Sequence, residues 1–173
     1  MSLVTLSCNS SNPGAPSTTD YGQCLSMGSL SARIDGVFWT AACVQAINDQ
    51  PTFNRFSVNG WTRDGTEGLS LTIVATEPGD YSLGGPTPSQ GAYPYSTAAL
   101  TRNCQPHPAL YCLTWFVAPC CGQPDGNGLG NVTVTRLSPT GASGSFSLDL
   151  VPNSSTGASG AKTVRDGAFT ATF

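Results

Sequence analysis

At 173 residues the chain is long enough for one domain with a proper core and too short for two comfortable ones. Only 10% of its residues are Asp, Glu, Lys or Arg, against about 25% in ordinary soluble domains, yet aromatic residues make up 9%, which excludes the highly charged, aromatic-poor composition of disordered chains. The formal net charge is −3 and Arg33, Arg55, Arg63, Arg102, Arg136, Lys162 and Arg165 are scattered singly, so no nucleic acid is expected as a partner, and no apolar run reaches the roughly 18 residues of a transmembrane segment.

Residues 1–29 are rich in Ser, Asn, Gly, Pro and Thr and read as a leader or tether ahead of a β domain over 30–173. The first eight residues lack the basic start and apolar length of an export signal, which implies that a signal was removed or that export uses another route. From 31 onward the pattern becomes short strands, near 31–35, 37–42, 53–62, 69–76, 80–83, 92–98, 111–117, 131–137, 144–151, 161–165 and 167–173. Four dipeptides that accept positive φ, Asp35-Gly36, Asn59-Gly60, Asp64-Gly65 and Asp166-Gly167, are read as hairpin turns. Only 41–48 offers a short helix. Pro and Gly mark 77–94, 102–108 and 119–130 as loops or irregular edges.

Period-two alternation is clearest at Leu69, Leu71, Ile73 and Ala75 and in the last quarter of the chain. There Val132 and Val134, then Phe146, Leu148 and Leu150, then Phe169, Ala171 and Phe173 form the inward set. The opposite set, Asn131, Thr133, Thr135, Ser145, Ser147, Thr170 and Thr172, stands where a cytosolic protein usually places Lys and Glu. The fold expected is all-β: a single antiparallel β-sandwich or barrel-like domain with short turns and disulfide-stapled loops.

Seven cysteines beside one histidine point to oxidising surroundings and an extracellular or cell-surface location. Cys24, Cys43, Cys104, Cys112, Cys120 and Cys121 are the disulfide candidates, with connectivity left open. The odd one is assigned to Cys8, as a lipid-bearing or intermolecular cysteine. Cys104, His107 and Cys112 with Cys120 or Cys121 would also make a Cys₃His zinc set, but the spacing is not that of a zinc knuckle and disulfides are the stronger reading; no metal or cofactor is expected.

Catalytic signals are weak. His107 lies between Pro106 and Pro108 without a nucleophile-elbow motif, Asp64 and Glu67 read as solvated turn residues, and Asp125-Gly126-Asn127-Gly128 lacks the later ligands of a calcium loop. No enzyme is expected. Asn9, Asn131 and Asn153 begin glycosylation sequons. Tyr81, Tyr93, Tyr95, Tyr111 and Trp115 lie in or beside the Pro/Gly loops, either as an exposed binding face or buried beneath them.

Four stretches carry a family likeness: Ala-Arg-Ile-Asp-Gly-Val-Phe-Trp-Thr-Ala at 32–41, Val-Thr-Val-Thr-Arg-Leu from 132, Gly-Ser-Phe-Ser-Leu-Asp-Leu from 144, and Val-Arg-Asp-Gly-Ala-Phe-Thr-Ala-Thr-Phe closing the chain. Over 31–173 the sequence resembles DUF6252, a family of bacterial secreted proteins and lipoproteins of unknown function. The resemblance implies a hairpin at Asp35-Gly36 with buried Trp39, a closing meander, and a tether after a lipidated cysteine in the position of Cys8. The dense cysteines between 104 and 121 depart from the family pattern, and the likeness supplies no catalytic residue. Together these features point to a non-enzymatic structural or interaction protein that self-associates into a filament, sheath or coat, or binds a cell-surface partner. The alternative is a monomeric envelope lipoprotein binding a small apolar or sugar ligand.

Overall fold

A computed structural model describes residues 24–84, 96–105, 111–117 and 128–173. The strands are β1 (Gly28–Ile34), β2 (Val37–Thr40), β3 (Cys43–Asn48), β4 (Arg55–Trp61), β5 (Gly68–Val74), β6 (Gly79–Leu83), β7 (Thr97–Gln105), β8 (Tyr111–Phe116), β9 (Leu129–Ser138), β10 (Gly141–Pro152) and β11 (Lys162–Thr172). One helical turn, α1 (Gln50–Phe53), joins β3 to β4, and a 3₁₀ turn covers Ser154–Thr156.

All pairings are antiparallel, and the sheet runs β2-β1-β11-β10-β8-β7-β5-β4-β3, with β9 also on β10 and β6 on β9. β10 is the hinge of this arrangement. Its residues 141–149 pair with β9, and its end then crosses to β8, where Val151 lies opposite Phe116 and Pro152 opposite Trp115. The strands therefore form a front layer, β2-β1-β11-β10-β9-β6, folded over a back layer, β8-β7-β5-β4-β3. On the far side the layers meet where the Met27 N–H donates to the Val44 carbonyl (2.8 Å) and the Ala42 N–H, just after β2, to that of Trp61 (2.8 Å), which gives a barrel-like closure.

The apolar sets read by parity line the space between the layers. Val132, Val134, Phe146, Leu148, Leu150, Phe169 and Ala171 are buried from the front, Leu69, Leu71, Ile73 and Ala75 from the back, and Phe173 packs at the margin. Phe56 from the back layer meets Phe169 and Phe173 at ring separations of 6.1 and 5.9 Å. Each such large side chain contributes about 1.5–3 kcal/mol by leaving water. Trp39 is buried, as its hairpin implied, although its indole N–H finds no acceptor among the described residues. Trp115, by contrast, donates to the Gly160 carbonyl at 2.8 Å.

Two of the four turn dipeptides are turns. Asp35 and Gly36 take φ of 50° and 82° in a two-residue hairpin. Asp64-Gly65 turns β4 into β5, with the Gly65 N–H donating to the Thr62 carbonyl at 2.9 Å. The other two are not. Asn59-Gly60 lies inside β4, where a glycine is needed because Ala41 and Leu30 stand 2.7 and 2.9 Å from the place a Cβ would occupy. Asp166-Gly167 lies inside β11, so 161–165 and 167–173 are one strand. It carries a bulge there: Ser31 to Arg33 on β1, and Phe146 to Leu148 on β10, each face one residue too many on β11, and Asp166 absorbs it at φ 52°.

The short helix read at 41–48 is instead strand β3, because Cys43, Val44 and Ala46 are buried and its backbone pairs with all of β4 from Trp61 to Phe56. Helix appears only one turn later, at Gln50–Phe53, with a proline in its first turn and Asn54 ending it at φ 52°. The loop read from 102 is also shorter than expected, since β7 continues through Gln105 with its ladder to β8 irregular beyond Arg102. The strand read at 92–98 begins at Thr97, and its first residues lie outside the described ones.

Candidate interaction face

The front layer turns its polar side to solvent, and strand pairing arranges the hydroxyls in rows across it. One row runs from Arg136 on β9 to Ser143 on β10, Thr170 on β11 and Ser29 on β1. A second runs from Thr40 on β2 through Ser31, Ala168, Ser145 and Thr133 to Asp80 on β6. Neighbouring hydroxyls bond one another: Ser29 with Thr170 at 2.9 Å and Thr135 with Ser143 at 3.1 Å, while Thr133 Oγ1 donates to Asp80 at 2.6 Å. A hydroxyl engaged once still has bonding capacity toward a ligand.

Charge is confined to the ends of this face. Near the bulge, Arg33 pairs with Asp166 (3.5 Å), Arg165 with Asp149 (2.5 Å) and Lys162 with Asp35 (2.8 Å). Burial pushes the Asp35 carboxyl up, but the Lys162 ammonium and the Thr163 N–H (3.0 Å) outweigh it and hold the group below its ordinary range. On the back layer Arg55 pairs with Asp49 at 3.0 Å, and Arg102 pairs with Glu67. Arg136 and Arg63 are the two arginines without an acidic partner among the described residues.

At the end of the front layer lies β2, hydrogen-bonded on one side only among the described residues. Because Trp39 points inward, parity turns Phe38 outward beside Arg33, and Phe38 and Val37 are 65% and 70% exposed. Sequence reasoning placed Trp39 correctly but gave Phe38 no role. The alternation itself carried that signal.

Four of the six disulfide candidates form two bonds. Cys24–Cys43 ties the segment before β1 to β3, with the Trp61 indole packed against it and over Gly68. Cys104–Cys112 staples β7 to β8. Two thiols of the zinc reading are thus consumed. His107, Cys120, Cys121, Cys8, Asn9, Tyr93, Tyr95 and residues 125–127 lie outside the described residues. Asp64 and Glu67 have separate partners: Asp64 accepts from Thr62 (2.6 Å) and from the N–H (3.1 Å) and hydroxyl (2.9 Å) of Thr66, bonds that lower its pKa, and Glu67 is held by Arg102.

Asn131 is exposed on the front face, whereas the Asn153 side-chain Oδ1 caps the 3₁₀ turn by accepting from the Ser155 N–H (3.1 Å) and hydroxyl (2.6 Å). Trp115 is buried, and Tyr81 packs against the core and donates its hydroxyl to the Glu77 carbonyl at 2.6 Å, so neither forms an open aromatic face. Among the described residues no helix is long and apolar enough to cross a membrane.

Neither the curated proteins nor the solved structures gave a match to the chain. A family model did: the domain of unknown function DUF6252 matches residues 26–172, from just before β1 to the last residue of β11, and the chain belongs to that family.

Proposed function

We propose that this domain is a non-enzymatic extracellular or cell-surface structural and interaction module that assembles with copies of itself through the β2 edge. The observation that carries this reading is the edge itself. Natural sheets blunt their open edges with Lys, Pro, bulges or covering segments. β2 reads Val-Phe-Trp-Thr, has no charge or proline, and exposes Val37 and Phe38. Antiparallel pairing of two such strands would continue the front layer from one copy into the next.

The chemistry of the rest supports the same class. Five of the seven basic residues are engaged with acids, and two disulfides with a charge-poor outer face suit an oxidising exterior. The second reading, a monomeric envelope lipoprotein with a sugar ligand, is favoured by the hydroxyl rows, and Cys8 is its candidate lipid site.

Light scattering on size-fractionated, oxidised protein tests the first reading. The wild type should show a mass that rises with concentration, and Val37→Lys, which plants an edge-blocking charge on an exposed site, should be a monomer. A wild type that stays monomeric at every concentration refutes self-association.

A further inference from the structure

We infer that the outer face of the front layer binds an extended polysaccharide bearing sparse carboxylate groups. This goes beyond self-association and does not depend on it, since the face is complete in one copy.

Three observations carry it. First, strand pairing spaces the hydroxyls in steps of about 4.8 Å, with Ser143, Thr170 and Ser29 consecutive in one row and two pairs, Thr40 with Ser31 and Ser145 with Thr133, on either side of Ala168 in the other. Hydroxyls that have already bonded one another present partly satisfied donors and acceptors, the chemistry that matches the hydroxyls of a sugar chain. Second, Phe38 stands on the same face, two residues from Thr40, with its ring 65% exposed. An exposed aromatic offers an apolar surface to sugar C–H groups beside the polar rows.

Third, Arg136 ends the row of Ser143, Thr170 and Ser29, is exposed, and has no hydrogen-bond or ion-pair partner among the described residues. A guanidinium in that setting is suited to bidentate pairing with a carboxylate. The density of that charge is limited. With a formal net charge of −3 and one cation on the face unpaired among the described residues, a polymer with a carboxylate on every unit would meet more repulsion than attraction. A protein partner fits less well, because the centre of the rows has no large apolar anchor of the kind that dominates protein interfaces.

The test uses immobilised polygalacturonan in a partly methyl-esterified form, which keeps scattered carboxylates, and in a fully esterified form, which has none. Binding is measured at protein concentrations at which light scattering shows a monomer, so that avidity from assembly does not enter. The parent should bind the partly esterified polymer more tightly. Arg136→Gln should lower that affinity roughly tenfold, the worth of one charge-assisted contact of about 1.4 kcal/mol, and leave binding to the fully esterified polymer unchanged. Ser145→Glu, placing a negative charge in the middle of the second row, should weaken both.

Arg63→Gln removes the other unpaired arginine, in the turn between β4 and β5 on the back layer, and should change neither. The inference is overturned if the parent binds neither polymer, or if Arg136→Gln and Arg63→Gln behave alike. Failure of Val37→Lys to alter the oligomeric state would count against the β2 reading only.

Discussion

Gly167 should not tolerate a methyl group, and the reason lies in one ring. Phe146 pairs with Gly167 across β10 and β11, and a Cβ built on the glycine would lie 2.5 Å from Cε2 of that ring and 2.6 Å from Cδ2 and Cζ. Ordinary carbon contacts fall near 3.5–4.0 Å, so the ring must retreat by roughly an ångström into the core in which it is buried. Overpacking of this kind costs about 1–3 kcal/mol. Phe146→Leu alone should cost about 1–2 kcal/mol, between a conservative swap and full truncation. The double variant should then be less destabilised than the sum, with a coupling of at least about 1 kcal/mol, because removing the ring vacates the volume that the new methyl needs. Urea unfolding of the oxidised protein and its three variants closes the cycle, and each kcal/mol should also appear as roughly 2–4 °C in Tm. Additive effects, or a Gly167→Ala variant as stable as wild type, would refute the claim that the Phe146 ring excludes a side chain at this position.

Three further outcomes follow from single contacts. Replacing the Cys24–Cys43 pair by serines frees a separation of 19 residues and should cost about 3 kcal/mol by chain entropy, against about 2.5 kcal/mol for Cys104–Cys112 with its separation of 8; equal urea midpoints for the wild type and either variant would contradict this. Asp35 has a folded-state pKa below its unfolded value, so its contribution is present at neutral pH and is lost as pH falls from about 4 through the folded value. Asp35→Asn, which still suits the positive φ of the turn, should lower Tm at pH 7 and flatten its fall between pH 5 and 2.5. Finally, Trp115→Phe should cost about 1 kcal/mol more than Trp39→Phe, because the Trp115 indole N–H is bonded to the Gly160 carbonyl and that of Trp39 has no acceptor among the described residues; paired urea curves decide it.

How much of this was legible in the sequence depends on the range of the interaction. Parity is local, and it located the inward residues of β5, β9, β10 and β11 correctly, because in a strand each side chain's face follows from its neighbour's. Turn chemistry is local too, yet it misread Asn59-Gly60 and Asp166-Gly167. A glycine serves a tight turn and a crowded sheet equally well, and Gly60 and Gly167 are there for crowding, under Leu30 and Ala41 in one case and under the Phe146 ring in the other. Nothing within a few residues of either position distinguishes the two uses. The helix read at 41–48 failed similarly: β3 is fixed by its pairing with β4 and by a bond to Cys24, neither visible in its own six residues.

The candidate face shows the same limit at greater distance. That Ser and Thr would face outward could be read directly, but the row from Arg136 to Ser29 exists only because β11 lies between β10 and β1. Ser29 and Thr170, whose hydroxyls meet in that row, are 141 residues apart in sequence. The first and last described strands must therefore pair before the face is whole, and loop closure over such a span disfavours early formation. β2 joins the front layer through β1, so both the open edge and the second hydroxyl row depend on that closure. A substitution that unpairs β11 from β1 would remove the edge and the rows together, whereas Val37→Lys and Arg136→Gln act on each separately. The edge and the rows can thus be tested independently in the mature fold, even though a single long-range pairing creates them both.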